Sequence, residues 1–474
     1  MKNMFFILSV LLFAISCSVS DDSTQNDDST GHTDKDKEET DDTPVAENDP
    51  DKESDIDTEI NDPDIINESD IVSDADEVEN VDNDNIEEIP DEDLTGKTVL
   101  VEQIYFAGKN MGEAILIIGP DGTSVLIDAA NDGMSSQVAE AIVRRTGKKE
   151  IDWVIITHYH NDHIGGFDNL FGNDSKEGIK INKGIVLRGM LDIGSDMPGV
   201  EDFNEFCTLI NGELSSYVVN LCSGTQMPCG GGSGGPWPAE NCDGLLKGDL
   251  NKTDDDSSGF TSFIDLGSGT KIFFTHANGW VATNGGSTSA EKNGVSIGWG
   301  ETDQENARSL GGILKWGKFR YVFAGDTQGR DIKIEKFIAD NSSKIKMSDT
   351  DPLITQTGAD TVHLNHHGLA SSTSAEWIDF LFPNDGKSRN AVVGTSGIYV
   401  TSPAQSVLDG LAPRLGTGMV WANAKALTSG TSPKLFVANA AVTVHVENGG
   451  KNYTIVTGIE PNTFTSEIFT STGD

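Results

Sequence analysis

From residue 98 onward the apolar positions fall into runs that predict strands. Val99-Leu100-Val101, Ala114-Ile115-Leu116-Ile117-Ile118 and Ser124-Val125-Leu126-Ile127-Asp128 read as three of them, the last two joined by the turn Gly119-Pro120-Asp121-Gly122. Val138, Ile142 and Val143 keep helical spacing up to Arg145, and Gly147 closes that helix. Trp153-Val154-Ile155-Ile156-Thr157 is the continuous apolar run of a buried strand. Phe273-Phe274-Thr275-His276 ends another strand, and Gly311 to Trp316 with Phe319 to Phe323 predicts a strand pair. Ahead of residue 98 this patterning disappears. Residues 21–94 hold 32 acidic and 3 basic side chains and no aromatic one. Such a stretch cannot bury enough apolar area to offset its chain entropy, so residues 18–94 are expected to form a disordered acidic linker. The whole chain of 474 residues carries a net charge of −43, and residues 95–474 carry 44 acidic and 29 basic groups. The remainder is the size of one large domain with an insertion. These totals argue against a basic nucleic-acid-coating protein and against a polytopic membrane protein.

The first seventeen residues read as an export address. Lys2 precedes the apolar run from Met4 to Phe13, and Ala14-Ile15-Ser16-Cys17 follows, too short a stretch for a spanning helix. A cysteine at the cut site resembles the bacterial lipoprotein signal, in which Cys17 would become the acylated first residue. That implies a chain held to the cell envelope by lipid, outside the cytoplasm, with no transmembrane helix after processing. The acidic stretch would then act as a tether of roughly 50 Å or more. Cys207, Cys222, Cys229 and Cys242 are packed closely enough to read as two disulfides in an oxidising compartment, in any of three pairings. Their spacing contains no C-x-x-C pair, which argues against a zinc knuckle. With Gly230 to Gly235 and Pro236-Trp237-Pro238 alongside, the region of about 195–260 reads as a stapled, loop-rich insertion.

The densest chemistry follows the apolar run that ends at Thr157. His158-Tyr159-His160-Asn161-Asp162-His163-Ile164-Gly165-Gly166 places three of the chain's nine histidines within six residues. Imidazole suits a borderline metal such as zinc, and carboxylate can complete the shell. In extended geometry His158 and His160 point the same way and can share one ion. Asp162 and His163, in the turn beyond, can reach a second. Asp326 follows the apolar strand Tyr321-Val322-Phe323-Ala324, and His276 likewise ends a strand. The side chains of His366 and His367 diverge, so that one is expected to bind metal while the other meets substrate or supports a metal ligand from outside. Asp128 is expected to orient a metal-binding histidine, and His363 and His445 to be structural.

These motifs resemble the metallo-β-lactamase superfamily, whose H-x-H-x-D-H signature is matched at every position from His158 to His163. Their order resembles the hydrolase domain of ComEC-type competence proteins. Gly112-Glu113-Ala114 stands where that branch has Gly-Asp-Ala, with Ile127-Asp128 after it. Asn306, Ser309, Gly325-Asp326 and His363-Leu364-Asn365-His366-His367-Gly368, with Ser371-Ser372 behind, follow in order. Tyr399-Val400-Thr401-Ser402-Pro403 departs from the branch, whose corresponding stretch carries a histidine.

The resemblance implies an α+β fold, a four-layer αββα sandwich, with a site for two divalent metal ions, zinc first and manganese second. His158, His160 and His276 would hold one ion and Asp162, His163 and His367 the other, bridged by Asp326. Asp162, Asp326 and His366 would serve catalysis by water ionised at the metal pair. A phosphodiester or other phosphoester is the implied substrate, nucleic-acid-derived or small. Lys315, Lys318 and Arg320 cluster around a strand turn and read as a solvated edge rather than a phosphate track. A net acidic domain therefore favours a small or headgroup-sized phosphoester over duplex DNA. The alternatives are a lactone or ester hydrolase on the same site, and an inactive surface lipoprotein that only binds. The oligomeric state is not readable.

Overall fold

The structure is a computed structural model, and it describes residues 94, 96–106, 112–189, 200–223, 240–252, 260–283, 286–298, 302–342, 358–395, 402–424, 430–459 and 462–473. Residues 1–93, with the export signal, Cys17, the linker and His32, lie outside the described residues, as do Cys229, the glycine run at 230–235 and Tyr399 to Thr401.

Two mixed sheets form the body. In the first, Thr98–Gln103 pairs antiparallel with Val442–Glu447 on one side and with Ile115–Ile118 on the other. Ser124–Ile127 pairs antiparallel with Ile115–Ile118, and the sheet then turns parallel through Glu150–Ile156, Lys180–Leu187 and Val218–Asn220. In the second, Thr270–Ala277, Gly311–Trp316 and Phe319–Phe323 run antiparallel. Thr361–His363, Asn390–Val393, Val420–Ala422 and Leu435–Val437 continue parallel from there.

Alternation along the strands assigns the layers, because successive side chains point to opposite faces. Val99, Val101, Ile115, Ile117, Val125, Ile127, Trp153 and Ile155 share one buried cluster with Ile272, Phe274, Ile313 and Phe323 of the other sheet. Leu116, Leu126, Val154 and Ile156, on the opposite face, pack with Val138 and Ile142 of the helix Ser135–Thr146. Outside the second sheet lie the helices Ile334–Ser342, Ala375–Leu381 and Gln405–Leu411, whose Ile338, Trp377, Ile378 and Leu408 join the first cluster. The fold is thus an α/β sandwich of the expected kind, two sheets face to face with helices outside. Among the described residues no helix is long and apolar enough to cross a membrane.

Two expectations need correction. The region of about 195–260 is not only loop: the helix Val200–Asn211 buries Phe203, Phe206, Cys207 and Ile210 in the outer apolar cluster, and Val218–Asn220 extends the first sheet. Its apolar residues keep helical spacing, a signal that the cysteines and glycines around them obscured. Cys222 and Cys242 are joined in a disulfide, and Cys207 is also disulfide-bonded. Arg320, taken for part of a solvated edge, is 2 % exposed, and its backbone N–H donates to Asp360 Oδ2 at 2.8 Å. Lys318 alone of the three basic residues at this hairpin is exposed.

Candidate metal centre

Each piece of the site hangs from the end of a strand. Glu150–Ile156 runs into Thr157 and His158, and the neighbouring parallel strand Ser124–Ile127 ends at Asp128. In the second sheet, Phe319–Phe323 leads to Asp326 and Thr361–His363 to the pair His366-His367. Gly166 lets the chain turn back here, since a Cβ on it would fall 2.4 Å from the Ala129 carbonyl oxygen.

The two sheets bring these residues together. Asp326 Oδ1 lies 3.3 Å from His163 Nε2, and Oδ2 lies 3.7 Å from His158 Nε2 and 3.6 Å from His366 Nε2. His367 Nε2 lies 3.3 Å from Asp162 Oδ2, and His158 Nε2 lies 3.1 Å from His160 Nδ1. Two sets emerge whose potential ligand atoms all fall within 4.8 Å of one another: His158, His160 and Asp326, and Glu113, His163, Asp326 and His367. Asp326 belongs to both sets.

Asp128 does the orienting work expected of it. Its Oδ2 is 2.8 Å from His163 Nδ1 and accepts from Thr157 Oγ1 at 2.7 Å, while Oδ1 accepts from the Thr157 N–H at 2.8 Å. His367 Nδ1 is 2.9 Å from the Gly394 carbonyl oxygen, which aims Nε2 at Asp162. His366 and His367 both have positive φ, 51° and 54°. Left-handed backbone costs a non-glycine residue of order 1–3 kcal/mol, so the surrounding contacts must over-determine it. The His366 N–H donates to the Gly325 carbonyl, and Ser402 Oγ donates to the His367 carbonyl. Buried Glu335 accepts from the N–H groups of Thr373 and Ser374 and from Asn365 Nδ2.

His276 joins neither set. Its ring lies over Gly311, where a Cβ would fall 2.1 Å from Cε1, and its Nε2 faces Thr327 Oγ1 at 3.4 Å. Burial alone pushes its pKa down to about 3. His363, expected to be structural, touches Glu113 Oε1 through Nε2, while His445 lies on the strand Val442–Glu447, half-buried. Sequence reasoning placed Glu113 in a motif but gave it no role at the site, and it left out the pair Glu305–Arg188. Glu305 Oε1 accepts from Arg188 Nη2 at 2.6 Å and from the Tyr159 N–H at 3.0 Å, and so braces the turn between His158 and His160. A carboxylate at the mouth of an apolar strand was the available signal for Glu113; Glu305 carried none, since its partner Arg188 is distant in sequence.

The electrostatics suit cations. Burial favours the neutral form of His163, but the carboxylates of Asp326, Asp162 and Asp128 outweigh it and hold the imidazolium well above its ordinary range. Against the same burial, Glu113, Asp162 and Asp326 hold His367 up at about 9. Burial would raise Asp326 as well, but the charges of His163, His366 and His158 hold it well below the carboxylate range. His160 Nε2, His163 Nε2 and Asp326 Oδ1 are buried without an aligned hydrogen bond among the described residues, although His163 Nε2 and Asp326 Oδ1 approach to 3.3 Å. Buried polar atoms without partners are rare and costly. Imidazole and carboxylate atoms left so, and converging, fit divalent metal ions.

Residues 108–183 match the metallo-β-lactamase superfamily model. Over this segment the chain is similar to the metallo-β-lactamase superfamily. A ribonuclease Z from Clostridium tetani is 35 % identical over 92 residues, 19 % of this chain and 27 % of that protein, so the chain spans about a quarter of the relative's length. Two solved structures also match this chain in part. A diphosphatase of the PhnP family is 12 % identical with a TM-score of 0.29, over 74 % of this chain and 98 % of that one. A diiron β-hydroxylase from Streptomyces venezuelae is 11 % identical with a TM-score of 0.31, over 65 % and 46 %. The matched segment includes the whole turn from His158 to His163.

Proposed function

We propose that this chain is a dinuclear metal-dependent hydrolase that cleaves a small or headgroup-sized phosphoester outside the cytoplasm. The observation that carries the reading is the convergence of Asp326 from one sheet with His158, His160 and His163 from the other, with His160 Nε2, His163 Nε2 and Asp326 Oδ1 buried without an aligned hydrogen bond among the described residues. His158, His160 and Asp326 would hold one ion, and His163, His367, Asp162 and Asp326 the second. A pair of divalent cations there supplies a nucleophile from water near neutral pH and offsets charge on a phosphoryl oxygen. The chain's own groups supply the rest. Asp326, shared by both sets, fixes their separation. Asp128 and the Gly394 carbonyl hold His163 and His367 with Nε2 facing inward. His366, whose pKa burial holds below the ordinary imidazole range, lies with Nε2 3.6 Å from Asp326 Oδ2, close enough to the shared carboxylate to meet a substrate bound there.

Phosphoester chemistry is supported by the ribonuclease Z relative and by the ComEC-like order of motifs. The acidic flank supports a small substrate. Asp132, Asp168, Glu201, Asp202 and Glu205 gather beside the His158–His163 turn, and burial together with these neighbours pushes Asp202 up to about 6. Zinc is the first expectation for the nitrogen-rich set. The test uses full-length chain from the membrane fraction, where a lipid on Cys17 would hold it. Two metal ions per chain and turnover of bis-p-nitrophenyl phosphate are expected, with both lost in Asp326→Ala. A metal-free variant with full activity refutes the site, turnover of a model lactone alone moves the substrate to carboxylic esters, and recovery only from the cytosol removes the export reading.

A further inference from the structure

Glu113 and His363 take no part in the reading above, yet they lie against the same ions' places. They are 2 % and 1 % exposed. The Glu113 N–H donates to the Asp162 carbonyl at 2.9 Å, and the Glu113 carbonyl accepts from the Ala130 N–H at 3.1 Å. Its backbone is therefore tied to the turn that carries Asp162 and His163. Its carboxylate falls within the set of His163, Asp326 and His367. Neither oxygen has an aligned hydrogen bond among the described residues, although Oε1 touches His363 Nε2. Gly394 makes the room: a Cβ there would come 2.9 Å from Glu113 Oε1 and 2.6 Å from Gln103 Nε2. A carboxylate buried without hydrogen bonds is strongly disfavoured unless a cation compensates it. Among the described residues no lysine or arginine forms an ion pair with it; its ion-pair partner is His363.

Resting on the metal reading, we propose that Glu113 is a further metal ligand, steadied by His363, on the ion shared by His163 and His367. The two ion sites then differ in kind. One has two imidazoles and the shared Asp326. The other has two imidazoles and three carboxylates, Glu113, Asp162 and Asp326. Carboxylate oxygen suits manganese better than imidazole nitrogen does, so Glu113 narrows the second site's preference for zinc over manganese. His363 acts as the outer partner that orients the ligand.

The experiment is metal competition on the full chain stripped of metal, comparing wild type with Glu113→Gln and Glu113→Asp. Bound manganese is read by electron paramagnetic resonance and total metal by elemental analysis. Wild type should take two ions. Glu113→Gln should bind manganese at least about tenfold more weakly, as loss of a ligand or its support does. Its zinc at the His158–His160 site should be unchanged, so the zinc-to-manganese ratio rises. Glu113→Asp keeps the charge on a shorter arm and should fall between the two. Equal manganese affinity and an equal ratio in wild type and Glu113→Gln overturn this inference and leave the metal reading standing. Weakening of both metals alike, with a lower melting temperature, assigns Glu113 a structural role and also overturns it. A wild type that binds no metal overturns both.

Discussion

Asp128 shows how one side chain can hold a site without standing in it. It is buried, with φ of 60°, and its two oxygens are shared among His163 Nδ1, the Thr157 hydroxyl and the Thr157 N–H. Thr157 Oγ1 in turn lies 3.1 Å from His158 Nδ1, so a single carboxylate sets the rings of two histidines. Outer partners of this type are worth 10–100-fold in metal affinity. Asp128→Ala is therefore expected to weaken metal binding by about that factor while leaving the fold, and titration calorimetry against wild type checks it. An affinity unchanged within twofold would mean that packing alone orients His163. This role was legible in the sequence, because Ile127-Asp128 ends a strand parallel to the one that carries the histidines. The role of Glu305 was not, because its meaning depends on Arg188 and Tyr159, which only folding brings to it.

At the scale of elements, the strands were readable wherever an apolar run was continuous, and Glu150–Ile156 and Phe319–Phe323 ended one to three residues short of the chemistry they carry. What the pattern could not convey is how the loop 365–374 is held in shape. The helix Ile334–Ser342 does this through Glu335, which lies some 30 residues before that loop and accepts from Asn365 Nδ2, Thr373 N–H and Ser374 N–H at 2.6, 2.7 and 2.7 Å. Burial pushes its carboxyl up to about 7 against the pull of those donors. Glu335→Ala removes three hydrogen bonds from a fully buried place and leaves two backbone N–H groups without partners. At about 1–3 kcal/mol for each buried group left unpaired, a destabilisation of about 3 kcal/mol or more is expected from denaturant unfolding. The strained pair His366-His367 should loosen with it, seen as faster amide exchange across 365–374. A variant as stable as wild type would show that water replaces the carboxylate there.

For the whole molecule, charge decides what can approach. Residues 21–94 and the folded part are both acidic, and among the basic residues considered for a phosphate track Arg320 is buried at Asp360. A polyanion that finds a basic track binds best at low salt and is lost as counterions compete. A polyanion repelled by an acidic surface behaves in the opposite way, because the screening length shortens to about 10 Å at 0.1 M salt. Hydrolysis of bis-p-nitrophenyl phosphate, a small monoanion, should change less than about twofold between 0.05 and 0.2 M salt, since it senses only the local cleft. Cleavage of duplex DNA, if measurable, should be slow at 0.05 M and rise with salt over the same range. Rapid DNA cleavage at low salt that falls steeply as salt is added would reveal a basic track that the acidic totals hide. The substrate would then be nucleic acid rather than a headgroup-sized ester.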